Sequence, residues 1–194
     1  MSLPNKLTIV RLVLSPLLFV IFFIPVWTGL FQAGSVVTIW IIFLTVELTD
    51  ILDGHLARKW DQVSDVGKVL DPFADVVSRL TYFLCFTGVG VMPIWILAIL
   101  VYREIGITFL RSVMFRRGIA VAANAWGKAK AVTYAVAGVA GFVVVSIDRL
   151  GLFPSGFKVF SAVALVIFLF AVVASVGSFV TYLLALLSSE RSAR

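Results

Sequence analysis

Residues 12–30 read LVLSPLLFVIFFIPVWTGL, a run without one charged side chain. As a helix it would extend about 28 Å, close to the hydrocarbon thickness of a bilayer. Lys6 and Arg11 precede it, as basic residues precede the apolar core of a secretion signal. No small-residue cleavage site follows, and the run is long enough to span a bilayer. It therefore predicts a retained first membrane-spanning helix.

The remaining sequence extends this pattern. Of 194 residues, 61% are hydrophobic and 13% charged, and the mean hydropathy is +1.11. A soluble domain of this length needs more polar side chains to cover its surface. Apolar runs predict six spans, at about 9–30, 34–57, 69–90, 93–115, 126–147 and 157–187. Pro, Gly and charge mark the breaks between them, and residues 59–68 form the most polar one. The expected fold is all-α: a polytopic membrane protein with six transmembrane helices and a short N-terminal interfacial segment over residues 1–8. A single membrane domain is expected over residues 1–194. The lone cysteine, Cys85, lies in an apolar run and reads as a small core residue.

Charge placement orients the chain. With the N-terminus inside, Lys59, Lys68, Arg116, Arg117, Lys128, Arg191 and Arg194 fall on one side, against Arg149 and Lys158 on the other. The positive-inside rule puts the basic side in the cytoplasm, and the compact single-domain form suits the inner membrane of a bacterium. The net charge of +6 follows from this rule and can also attract anionic lipid headgroups. With no soluble basic domain, nucleic acid is not an expected partner.

The acidic residues are concentrated. Asp50, Asp53, Asp71 and Asp75 lie near the ends of the second and third spans, where ionisable groups are costly and point to function. Asp50, Asp53, Gly54, Ala57 and Arg58 share one helical face, and Gly67, Asp71 and Asp75 follow at steps of four on another. Two helices would thus present two carboxylates each. Such a group needs a compensating cation, and oxygen ligands near phosphate favour Mg²⁺ or Mn²⁺. Arg58 and Lys59 suit an anionic partner. The plainer alternative is an ion-paired helix contact with Arg58 or Arg79, but four carboxylates exceed those bases. His55 turns away from the carboxylate face. Glu47 lies one turn before Asp50 as a supporting group, and Arg79 one turn after Asp75 as its partner or a substrate contact. Asp61 and Asp65 read as solvated loop charges or helix caps.

The stretch Asp50-x2-Asp53-Gly54-x2-Ala57-Arg58-x8-Gly67-x3-Asp71-x3-Asp75 resembles the signature of the CDP-alcohol phosphotransferases. The resemblance implies a homodimer with a polar cavity open to the cytoplasm and two divalent cations held by Asp50, Asp53, Asp71 and Asp75. It implies Asp75 as general base, and contacts from Gly54, Ala57, Arg58, Ser64 and Gly67 to the CDP-lipid. Residues 3–11, LPNKLTIVR, resemble the N-terminal motif of the phosphatidylglycerophosphate synthases of that family, which nominates Asn5 and Thr8 for the same lipid. Arg103-Glu104-Ile105, Leu110-Arg111 and Trp126-Gly127-Lys128-Ala129-Lys130 resemble further stretches of those enzymes. The implied reaction moves the phosphatidyl group of CDP-diacylglycerol to glycerol 3-phosphate, forming phosphatidylglycerol phosphate and CMP.

An acceptor with its own phosphate requires further cations, and Arg103, Arg111, Lys128 and Lys130 are the candidates. Val76 and Ala131 depart from the pattern of those synthases. Inositol phosphate, serine or choline as acceptor is the alternative within the family. A cation channel or transporter is the alternative outside it, but the polar residues cluster on one side of the membrane rather than crossing it. Residues 135–194 are expected to add only hydrophobicity.

Overall fold

The computed structural model describes residues 3–60, 65–116 and 125–192. Among the described residues six helices follow one another: α1 (Leu3–Thr28), α2 (Gln32–Trp60), α3 (Asp65–Gly88), α4 (Ile94–Arg116), α5 (Ala125–Arg149) and α6 (Phe157–Ser192). The described residues contain no strand. Among the described residues, four segments are long and apolar enough to cross a membrane: Asn5–Thr28, Gln32–Asp50, Trp126–Arg149 and Phe157–Ser188. α3 and α4 carry the charges Asp71, Asp75 and Arg79, and Arg103, Glu104 and Arg111. The chain is an integral membrane protein. The segment expected at the interface is not a separate element, because residues 3–8 are the first turns of α1. Helices also extend from both sides into the polar stretch 59–68.

α1 holds Pro16 and Pro25 inside the helix. Each removes a backbone donor, and helices in a bilayer tolerate this where neighbouring groups re-satisfy the ladder. Ser15 Oγ donates to the Arg11 carbonyl at 2.8 Å beside the first proline. The helix stops at Gly29, whose φ of +70° is the left-handed cap that glycine adopts without strain, and its N–H donates to the Pro25 carbonyl at 2.9 Å.

α1 packs against both α2 and α3, α5 against α6, and α4 against α6. The buried stripe of α1 is Asn5, Thr8, Arg11, Ser15, Leu18 and Phe22, spaced three or four apart. It is polar toward the N-terminus and apolar beyond Ser15. Phe22 continues into an aromatic core with Phe43, Tyr82, Phe86 and Phe142, where Phe43 and Phe86 each lie 4.9 Å from Phe142, centroid to centroid. Outward faces are apolar as well: Val37, Ile41, Leu44 and Leu48 on α2, and Val159, Val163, Val166 and Phe170 on α6. Bands of this kind are what lipid contact requires.

Candidate active site

The polar end of the α1 stripe meets the acidic ends of α2 and α3. Arg11 Nη1 donates to Asp50 Oδ1 at 2.5 Å and to Asp75 Oδ1 at 2.6 Å, and Nη2 donates to Asp71 Oδ1. Oxygens of the three carboxylates lie within 4.8 Å of one another. The Arg11 side chain is 1% exposed, whereas those of Asp50, Asp71 and Asp75 are 27%, 45% and 26% exposed. The guanidinium thus lies beneath carboxylates that keep an open side. Arg79 closes the flank, with Nη2 3.3 Å from Asp50 Oδ2 and Nη1 3.6 Å from Asp75 Oδ2. Below them Ser15 Oγ and Ser78 Oγ hydrogen-bond at 3.0 Å. Glu47, one turn before Asp50, is close enough to feel the charges of Arg79 and Asp50.

The donors fit a divalent cation. Every facing ligand atom is a carboxylate oxygen, the set that suits Mg²⁺ or Mn²⁺. Among the described side chains, three carboxylates exceed the two guanidinium groups beside them, so the cluster keeps a net negative charge.

Asp50, Asp71 and Asp75 come together across two helices as their spacing predicts. Gly67 lies one turn before Asp71 on α3. Asn5 and Thr8 are buried on the first turns of α1, on the face that carries Arg11. Asp53, Gly54, Ala57 and Arg58 belong to the last turns of α2, and their side chains are outside the described set. Ser64, Asp61 and Arg117 lie outside the described residues.

The four expected phosphate ligands have different surroundings. Arg103 is buried in α4, where Nε donates to the Ser175 carbonyl at 3.0 Å, Nη1 to Glu104 Oε1 at 2.9 Å and Nη2 to Ser178 Oγ at 2.9 Å. Lys130 Nζ reaches the same Glu104 oxygen at 2.5 Å. Arg111 is held apart, donating to the Tyr182 hydroxyl at 3.0 Å with its guanidinium over that ring. Lys128 is exposed near the start of α5.

Two features escaped the sequence reading. In sequence Arg11 reads as a flanking charge and as the last residue of the N-terminal motif, although an arginine within a predicted helix and at helical spacing from Asn5, Thr8 and Ser15 marks a polar face. The expectation that residues 135–194 add only hydrophobicity is corrected by α6. Ser175, Ser178 and Tyr182 recur there at steps of three and four, and each bonds a charged side chain or the Tyr134 hydroxyl.

Residues 1–187 match the family model described as CDP-alcohol phosphatidyltransferase. A protein of Treponema pallidum (strain Nichols) named CDP-diacylglycerol–glycerol-3-phosphate 3-phosphatidyltransferase is 32% identical over 190 residues, covering 94% of this chain and 88% of its own. A Bacillus subtilis (strain 168) protein of the same name is 33% identical over 135 residues, 66% of this chain and 70% of its own. A cardiolipin synthase (CMP-forming) of Streptomyces coelicolor is 30% identical over 118 residues, 61% of this chain and 54% of its own.

Proposed function

Because this chain belongs to the CDP-alcohol phosphatidyltransferase family, we propose that it transfers the phosphatidyl group of CDP-diacylglycerol to glycerol 3-phosphate, releasing CMP and forming phosphatidylglycerol phosphate. The observation that carries the chemistry is the convergence of Asp50, Asp71 and Asp75, from two helices, on one open-sided cluster. The acceptor rests on the name of the Treponema pallidum relative, which aligns over 94% of this chain.

Asp50, Asp53, Asp71 and Asp75 hold the metal in this reading, Mg²⁺ or Mn²⁺ and two ions in number. Such ions supply charge neutralisation for the pyrophosphate and for charge that develops on transfer. Asn5, Thr8, Gly54, Ala57, Arg58, Ser64 and Gly67 bind the CDP-lipid. Asp75 takes the proton of the acceptor hydroxyl. The acceptor oxygen forms a bond to the phosphorus that bears diacylglycerol, the bond from that phosphorus to the bridging oxygen breaks, and CMP leaves with the electron pair. Lys130, with Arg111, Lys128 and Arg103, supplies positive charge for the acceptor phosphate. Arg79, bonded to Asp50 and Asp75, keeps those carboxylates in place. The single domain spans the membrane six times as a homodimer, with the site facing the cytoplasm of a bacterial inner membrane.

The test is CMP release by purified protein with CDP-diacylglycerol and Mg²⁺, comparing glycerol 3-phosphate, inositol 1-phosphate, serine and choline. Release with glycerol 3-phosphate, lost in Asp75→Asn, is the expected result. Release with another acceptor alone would keep the family chemistry and overturn the acceptor. The likeness to a cardiolipin synthase makes the acceptor the quantity to measure.

A further inference from the structure

Glu104 is a buried carboxylate that no step above uses. It is 3% exposed and lies near the middle of α4. Its Oε1 accepts from three donors: Arg103 Nη1 at 2.9 Å, Lys130 Nζ at 2.5 Å and the Tyr134 hydroxyl at 3.1 Å. Tyr134 is held in turn by Ser175, with its hydroxyl 2.7 Å from Oγ, and the Lys130 ammonium lies over the Tyr134 ring, 4.8 Å from its centroid. Side chains of α4 and α5 therefore converge on one carboxylate oxygen, and α6 joins them through Ser175 and Ser178.

The two cations at Glu104 are held differently. Arg103 directs Nε, Nη1 and Nη2 to acceptors inside the bundle. Lys130 makes its ion pair with Glu104 and, among the described residues, forms no other. An ammonium carries three donors, so two remain for a ligand. Its side chain is 13% exposed, and it is close enough to Arg79, the partner of Asp50 and Asp75, to feel that charge. Two cations against one carboxylate leave the cluster positive, as an anionic ligand requires. A lysine this buried keeps its charge and direction only beside a fixed anion.

We propose that Glu104 is a positioning residue: through its bonds to Lys130, Arg103 and Tyr134 it holds the Lys130 ammonium, charged and aimed, where the phosphate of the acceptor docks. This rests on the reading of the chain as a transferase with a phosphorylated acceptor. It divides the labour among residues that sequence treats alike. Arg103 ties the network to α6, and Lys130 meets the substrate.

The experiment is steady-state CMP release by the full chain with CDP-diacylglycerol and Mg²⁺, varying glycerol 3-phosphate. The variants are Glu104→Gln, Tyr134→Phe, Lys130→Met and the Glu104→Gln/Lys130→Met pair. Glu104→Gln is expected to raise KM for glycerol 3-phosphate about tenfold while KM for CDP-diacylglycerol stays unchanged. Tyr134→Phe, which removes the hydroxyl's bonds to Glu104 and Ser175 but no charge, should move the same constant in the same direction by a few-fold. The double variant should be no worse than Lys130→Met alone, because Glu104 acts through Lys130. An unchanged KM for glycerol 3-phosphate in both Glu104→Gln and Tyr134→Phe, or multiplied losses in the double variant, overturns the proposal. Tyr134→Phe decides if Glu104→Gln does not fold. A KM moved by Lys130→Met but by neither Glu104→Gln nor Tyr134→Phe leaves the acceptor reading standing and removes only the positioning role. Absence of release with glycerol 3-phosphate by the unaltered protein removes the reading, and the proposal with it.

Discussion

An arginine just ahead of an apolar run ordinarily sits at the membrane edge, where its charge stays hydrated. Arg11 instead points into the bundle and is shared by Asp50, Asp71 and Asp75. Its bonds offset repulsion among carboxylates held within 4.8 Å. Arg11→Met removes that compensation while keeping an unbranched apolar stem. Without divalent ions the variant should lose about 2 kcal/mol of stability, less than a fully buried pair because the carboxylates are partly exposed. Added Mg²⁺ should restore part of the loss. Thermal unfolding in detergent, with EDTA and then with Mg²⁺, reads both effects, and an unaltered midpoint in EDTA would refute the compensating role. Asp75→Asn keeps the shape of the side chain but cannot accept a proton. We expect its kcat to fall by about 100-fold or more with the unfolding midpoint retained. A kcat near that of the unaltered protein would remove Asp75 from the general-base role.

At the scale of elements, the site is held by how α1, α3 and α5 fit. α1 touches both α2 and α3, so one side chain on it can reach carboxylates on each. α5 lets aromatic rings lie against its backbone at Gly138 and Gly141. A Cβ at Gly141 would stand 2.2 Å from Cε2 of Phe86, and one at Gly138 would stand 2.8 Å from Cε2 of Phe43. Phe86 is fully buried among Phe22, Phe142 and Phe168 and has nowhere to shift. Gly141→Ala should therefore cost about 1–3 kcal/mol through overpacking. Gly106→Ala, where the Cβ would meet Phe179 at 2.9 Å, should cost less, because Phe179 is only partly buried. Comparing the two unfolding midpoints checks the ranking, and equal midpoints would show that the α5 fit is looser than described.

The whole molecule separates a polar end from apolar flanks. Its outward side chains, such as Val20, Leu44, Phe109 and Phe170, form no cover that water could solvate. The protein should stay in the membrane fraction through an alkaline carbonate wash, and release into the supernatant would contradict the integral placement. Removing divalent ions from the purified protein should abolish CMP release, and Mg²⁺ or Mn²⁺ should return it. Turnover that persists in excess EDTA would exclude the aspartate cluster as a required metal centre. The helices were legible because apolar length is a local property: the predicted 93–115 and 126–147 match the extents of α4 (Ile94–Arg116) and α5 (Ala125–Arg149) closely, although of these two only α5 is apolar enough to cross a membrane. The aspartate faces were legible because steps of three and four share a helix face. Arg11 and the α6 serines were less so, since each gains its meaning from a partner dozens of residues away: 39 positions for Arg11 and Asp50, 75 for Arg103 and Ser178.

The sequence by itself determined the membrane class, the approximate extent of each helix, the carboxylates of α2 and α3, and the family to which they belong. These follow from composition and from regular spacing along one helix, which need no knowledge of neighbours. Only the tertiary structure decided that α1 lies against both acidic helices, that Arg11 is the cation at their centre, and that Glu104 gathers Arg103, Lys130 and Tyr134. A charge buried in a low-dielectric bundle must find its counter-charge, and which one it finds depends on which helix faces pack together. That choice is made in three dimensions, between residues that sequence places far apart.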